Sequence, residues 1–251
     1  MLPLLRSETS KLVTERSTRI LVPVLLVASL GMAWTNAAPA AEQDPDSDLL
    51  FSAVPVPLDF QGFEMAGFGQ LLIVAIAALW AGSEHGSGGQ LRTTLLATPR
   101  RLRVFLGKAA LIALSTAVLA FVSMTGTIII THAAGDSPLN PWTLTPGIWR
   151  NLAGLTLSWT LTALITFAVG TLARTAIVPL ILLLPFVIGV GEFLAVVWPG
   201  ARYLPLHAGN ALYADPAPGA HLDPTAGALV QATWTIVLLT AAALTLTRRD
   251  V

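Results

Sequence analysis

The sequence contains no cysteine, and only 11% of its 251 residues are charged. The first absence excludes a disulfide framework, a thiolate nucleophile and a sulfur-bound metal. The second excludes an ordinary water-facing surface, because soluble domains are about 25% charged. Also missing is any G-x-x-x-x-G-K-(S/T) run; Gly107-Lys108 is followed by alanine at the start of an apolar stretch. The chain therefore has no phosphate loop with which to hydrolyse ATP itself. Its four histidines do not gather: His85 and His132 fall on opposite sides of one apolar run, and His207 and His221 share a loop without a third ligand. A structural zinc takes four ligands. The run "HGSGG" sets Ser87 two residues after His85, but residues so close in sequence seldom give triad geometry. No internal repeat stands out, which removes one common signature of secondary transporters. The basic residues sit at the edges of apolar runs, without the aromatic platform of a nucleic-acid surface.

What remains is oil. Apolar residues make up 54% of the chain, and the mean hydropathy is +0.72. A membrane helix needs about 17–25 residues to cross roughly 30 Å of hydrocarbon. Six segments qualify, near 19–37, 66–83, 104–133, 151–173, 175–198 and 226–247. We read them as one transmembrane domain over residues 1–251, all-α, with six spans. The third is long enough to tilt or project. Pro179 and Pro185 are expected to bend the fifth. In the fourth, Gly154, Ser158 and Thr162 recur every four residues, the pattern that lets membrane helices approach closely.

Charge sets the orientation. Arg6, Lys11, Arg16, Arg19, Arg92, Arg100, Arg101, Arg103, Lys108, Arg174, Arg248 and Arg249 fall on one side, and only Arg150 and Arg202 on the other. Lys and Arg are held back on the cytoplasmic side, so both termini and residues 82–108 are expected there, in a cell (inner) membrane. Glu42, Asp44, Asp46, Asp48, Asp59 and Glu64 all lie in the first external loop, which has no basic residue. "DPDSD" in that loop lacks the glycine and distal glutamate of a calcium loop. A competing reading makes "ILVPVLLVASLGMAW" the core of a signal peptide cleaved after "APA". Against it stands the long preceding region with Glu8 and Glu15.

Three segments invite function. The N-terminal "LRSETSKLVTERSTR" is amphipathic, with Glu8–Lys11 and Glu15–Arg19 spaced to meet on one helix face; it suits a helix lying on the membrane surface. Residues 82–108 begin with a Ser87/Gln90 capping box. The helix that follows, to about Ala97, sets Leu91 and Leu95 on one face with Leu96 beside them. Thr98 then caps and Pro99 opens a second helix, which runs into the third span through Arg100, Arg101, Arg103 and Lys108. The last external segment, 199–225, mixes apolar turns with proline and glycine, as a chain does when it dips into a membrane and returns. Just before it stands Glu192, the clearest ionisable residue inside a span and so the default functional candidate.

With these residues in view, the chain resembles the membrane permease of type 2 ABC exporters. The family's elbow pattern is similar to Glu8, Lys11, Leu12, Thr14, Arg16, Ser17 and Thr18. Its first cytoplasmic loop resembles Glu84, Gly89, Arg92, Thr93, Thr94, Leu95, Pro99, Arg101, Gly107 and Lys108, although "EHGSGG" stands where a more basic run is usual. Its last external loop resembles Leu204, Pro205, Ala208 and Gly209.

The resemblance implies an elbow helix carrying Glu8, Lys11 and Arg16. It implies a coupling segment, Glu84, Ser87, Gln90, Leu91, Arg92, Leu95, Leu96, Pro99, Arg100 and Arg101, docked on a separate ATPase present in two copies. A second permease, identical or related, would complete twelve spans. ATP and Mg would bind the partner subunit, and this chain would hold no cofactor and no metal. Glu192, Leu204 and Pro205 would form an external gate. The cargo would be an amphipathic or hydrophobic compound: a drug, a peptide antibiotic or a lipid-like molecule. Two other classes stay open, an ion-coupled carrier using Glu192 and a non-transporting membrane scaffold or sensor.

Overall fold

A computed structural model describes residues 9–10, 14–37, 57–63, 66–83, 101–134, 140–214 and 222–248, and their regular structure is entirely helical. Six spans follow in the expected order. Helix α1 is Arg16–Asn36, α2 is Ala66–Ser83, α3 is Arg101–Ala134 and α4 is Pro146–Ala173. The fifth span is composite: α5 (Ile177–Pro185), a π-helical turn (Phe186–Val190) and α6 (Gly191–Val197). A 3-10 turn (Pro199–Tyr203) and a short helix α7 (Pro205–Asn210) follow, and α8 (Pro224–Arg248) closes the chain. Five of the spans are long and apolar enough to cross a bilayer, and α2, with 18 residues, is at the short end of the range.

The second span has the expected bounds; elsewhere local caps move them. Thr145 accepts a hydrogen bond from Ile148 N on its Oγ1 (3.2 Å), with Pro146 in the first helical position, so α4 starts at 146 and not 151. Hydropathy misses those turns because Asn151 and Arg150 interrupt the apolar run. Asp223 caps α8: its carboxylate accepts from the Thr225 hydroxyl and N–H, which hold it below the usual carboxylate range. At the other end of α4, Arg174 adopts φ 57°, and its N–H bonds Gly170 O, closing the helix with a left-handed residue.

The fifth span departs from expectation in one respect. Pro179 is the third residue of α5, where its missing N–H has no intrahelical acceptor, so it bends nothing. The break follows Pro185 and centres on Gly189, whose φ of 118° is open to glycine and rarely to other residues.

Helix α4 is the axis of the fold and packs against α2, α3 and α8. Trp159, Leu152, Leu155 and Ala163 are fully buried on it. Gly69 on α2 makes room for the indole; a β-carbon there would lie 2.3 Å from Trp159 Cη2. Phe105 and Phe167 stack at 5.3 Å. By contrast α1, the fifth span and α8 turn exposed aliphatic faces outward, including Val27, Ile181, Ile188 and Ile236, as lipid-facing helices do. Exposed Trp34, Trp142, Trp149 and Trp198 all lie at the end away from most of the basic residues, the position of an interfacial aromatic belt. We call the two ends the basic end and the far end.

Candidate functional site

At the basic end, Glu84, Ser87, Gln90, Leu91, Arg92, Leu95, Leu96, Pro99 and Arg100 lie outside the described residues, as do Glu8 and Lys11. What frames them is described. Arg101 opens α3, and its Nη1 donates to Leu246 O on α8 at 3.4 Å. Arg16 opens α1, and two residues on, Thr18 accepts a 2.7 Å hydrogen bond from Trp80 Nε1. The first turn of α1 is thus tied to α2 three residues before that helix ends at Ser83.

The end of α2 also abuts the turn that starts the fifth span. A β-carbon on Gly82 would lie 2.6 Å from Ala176 Cβ and 2.8 Å from Ala176 N, and one on Gly170 would lie 2.6 Å from Ala81 Cβ. Backbones this close move together, because nothing compressible separates them.

The far end holds a chain of polar side chains running into the bundle. Glu192 Oε1 accepts from Asn210 Nδ2 at 2.8 Å, and His207 Nδ1 stands 3.6 Å from the same oxygen. Asn210 Oδ1 accepts from the Tyr213 hydroxyl at 3.0 Å, and that hydroxyl lies 3.4 Å from Gln70 Oε1 on α2. Gln70 Nε2 donates to Thr162 Oγ1 (3.3 Å), which also accepts from Gln231 Nε2 (3.1 Å); Gln231 Nε2 reaches Ser158 O as well, at 3.1 Å. Thr162 is roughly 24 Å along α4 at 1.5 Å per residue, so the polar chain penetrates to mid-helix. A tyrosine has one hydroxyl hydrogen and a neutral amide has fixed donors and acceptors. The chain thus links α6, α7, α2, α4 and α8 through neutral donors and acceptors below Glu192.

The small-residue stripe of α4 is the bed for the segment before the last span. A β-carbon on Gly154 would meet Leu212 O at 2.2 Å, and one on Gly209 would meet Ser158 Oγ and Gln231 Nε2, both at 2.5 Å. From the α8 side, a β-carbon on Gly227 would meet Ala208 O at 2.4 Å. Leu206, His207, Ala208 and Gly209 are consequently buried, and Tyr213 with them. Leu204 is extended before α7, and Pro205 occupies its first helical position, where a missing N–H is harmless. Of the 199–225 segment, the described residues up to 214 pack onto α4 and α8.

Of the three residues expected at an external gate, Glu192 meets α7 through Asn210 and His207, while Leu204 and Pro205 lie at the start of α7. Sequence reading did not find Gln70, Asn210, Tyr213 or Gln231. Gln70 and Gln231 carry a sequence signal all the same: each is a lone neutral amide inside an apolar run. Among the described residues no group of three or more His, Asp or Glu side chains could hold a metal.

Comparison with known proteins bears on the whole arrangement. The sequence profile described as ABC-2 family transporter protein matches residues 4–191. A comparison with curated protein sequences found no match. The matched stretch covers the first four spans and most of the fifth, and ends one residue before Glu192. With its all-helical, multi-pass architecture, the chain belongs to the ABC-2 transporter family, as a membrane permease.

Proposed function

We propose that the protein is the transmembrane subunit of an ATP-driven exporter that moves an amphipathic or hydrophobic compound out of the cell. Family membership implies an ABC ATPase partner; in this reading two copies dock on the 84–100 segment, with ATP and Mg on them alone. A second permease completes the path, the basic end faces the cytoplasm, and the membrane is the inner one. A drug, a peptide antibiotic and a lipid-like molecule all suit a path between largely aliphatic spans.

One observation carries the reading: the contact of Gly82 with Ala176 at the basic end. It supports a mechanism in which closure of the ATPases moves the 84–100 segment, the end of α2 follows, and the fifth span is pushed at its first residue. The ion-coupled alternative is disfavoured by the far-end chemistry. Glu192 continues inward through Asn210, the Tyr213 hydroxyl and Gln70, neutral groups with no second acid among them.

The test is co-purification of the tagged chain in mild detergent, wild type beside Leu95→Asp. An ATPase subunit recovered with wild type and lost with the variant is the expected result. No ATPase with wild type, even after cross-linking, would end the exporter reading.

A further inference from the structure

We propose that α6 is a hinged strut, held shut against α7 by a clasp centred on Glu192. The two elements it joins are held very differently. Helix α7 lies in a close-packed bed: four of its six residues are buried, and the glycine contacts with α4 and α8 leave no space beneath it. Of α6 only Gly191 is buried, while Phe193, Val196 and Val197 are exposed, Val196 at 85%. Its neighbours are the π-turn, the 3-10 turn and α7.

Both ends of α6 are articulated. Below it, Gly189 sits at φ 118° and ψ 0°, with nothing within 4 Å of where a β-carbon would be, so the break itself is not packed over. Above it, Trp198 is extended at φ −142° and ψ 107°. Seven helical residues stand between two breaks in the helical hydrogen-bond pattern, which is how hinges are built.

Across the gap to α7 the described side chains make one polar tie. Glu192 Oε1 accepts from Asn210 Nδ2 and faces His207 Nδ1, and Gly191 brings the backbone close enough for a β-carbon there to lie 3.4 Å from His207 Cβ. The His207 side chain is 1% exposed and that of Glu192 45%, so the static half is buried and the mobile half reaches the surface. Asn210 in turn is fixed by Tyr213, and Tyr213 is buried. Opening the clasp frees α6 and leaves α7 seated. The residues of the clasp lie beyond the stretch matched by the family profile, so the proposal rests on this chain's own geometry. Its purpose, uncovering the far end of an export path, depends on the exporter reading; the motion itself does not.

Absence of native cysteine makes the test clean. A single Val196→Cys, labelled with a trifluoromethyl reporter, is followed by fluorine NMR in lipid nanodiscs without any ATPase. With Glu192 intact one resonance dominates, the released state being a minor population of about 10% or less. Glu192→Ala is expected to bring up a second resonance as the major one, and Glu192→Gln, which keeps an acceptor for Asn210, an intermediate spectrum. The same reporter at Leu229→Cys, on α8, should not change. An identical Val196 spectrum in Glu192→Ala would overturn the clasp, and so would an equal change at Leu229, which would mean general loosening. If the strut moves and no ATPase co-purifies, only the exporter reading falls. If an ATPase co-purifies and the strut does not move, only the clasp falls.

Discussion

The fourth and fifth spans are both strongly apolar and hold opposite places in the fold. Both are apolar enough to cross a bilayer, yet α4 is the buried axis and the fifth span is exposed along most of its length. The more strongly apolar of the two, rich in Leu, Ile and Val, is the one left outside. In water the reverse would be expected. In a bilayer lipid tails are as apolar as leucine, so burial follows close backbone approach and polar contacts, not oiliness. Gly154, Ser158, Thr162 and Gly170 supply both on α4; the fifth span has prolines and branched side chains, most of them exposed.

The sharpest way to break that contrast is to fill the bed on α4. Gly154→Leu sets a side chain where Leu212 O stands, and overpacking of this kind costs about 3 kcal/mol or more. We expect the monodisperse fraction on size-exclusion chromatography to fall steeply, while Gly189→Leu, facing open space, leaves more folded protein despite its unfavourable φ. Next in size is Gly82→Leu, which wedges α2 away from Ala176. That variant should fold and still bind the ATPase but lose transport, measured in vesicles. Gln231→Leu removes the donor to Thr162 and Ser158 O. Hydrogen bonds between membrane helices are worth about 0.6–1.7 kcal/mol, so a melting temperature lower by a few degrees is expected. Val196→Ala, on the exposed strut, should stay within about 0.5 kcal/mol of wild type.

The smallest effect belongs to the cap of α8. Hydrogen bonds from Thr225 depress the Asp223 carboxyl in the folded state. Its stabilisation is therefore present above the unfolded carboxyl's pKa and is lost as pH falls through the lower folded value. Thermal melts of wild type and Asp223→Asn between pH 6 and pH 3, within the range set by an ordinary Asp near 3.9, should converge at the acid end.

Much of this was legible in the sequence because membrane helices write their length and their small-residue stripes directly into it. The bounds of α2 and the Gly154–Ser158–Thr162 stripe were read without the structure; the residues lying in the bed were not. Gln231 is 69 positions from Thr162, and Tyr213 is 143 from Gln70; no periodicity reports such pairings. Averaged hydropathy also hides a single neutral amide, which is how Gln70 and Gln231 escaped. The two prolines of the fifth span show the other limit. Pro185 ends a helix and Pro179 does nothing, because the left-handed turn at Arg174 places Pro179 in a first turn, and that turn leaves no mark on hydropathy. The coupling segment remains an expectation from sequence, framed by Trp80–Thr18 and Gly82–Ala176.

The central claim is that motion of the 84–100 segment reaches the fifth span through the Gly82–Ala176 contact. It is tested most directly by watching the Val196 fluorine signal in the reconstituted complex as ATP, Mg and vanadate are added. The account predicts a change of resonance that Leu95→Asp and Gly82→Leu each abolish. An unchanged signal with the ATPase bound and trapped would contradict it, and would move the working part of the permease to another span.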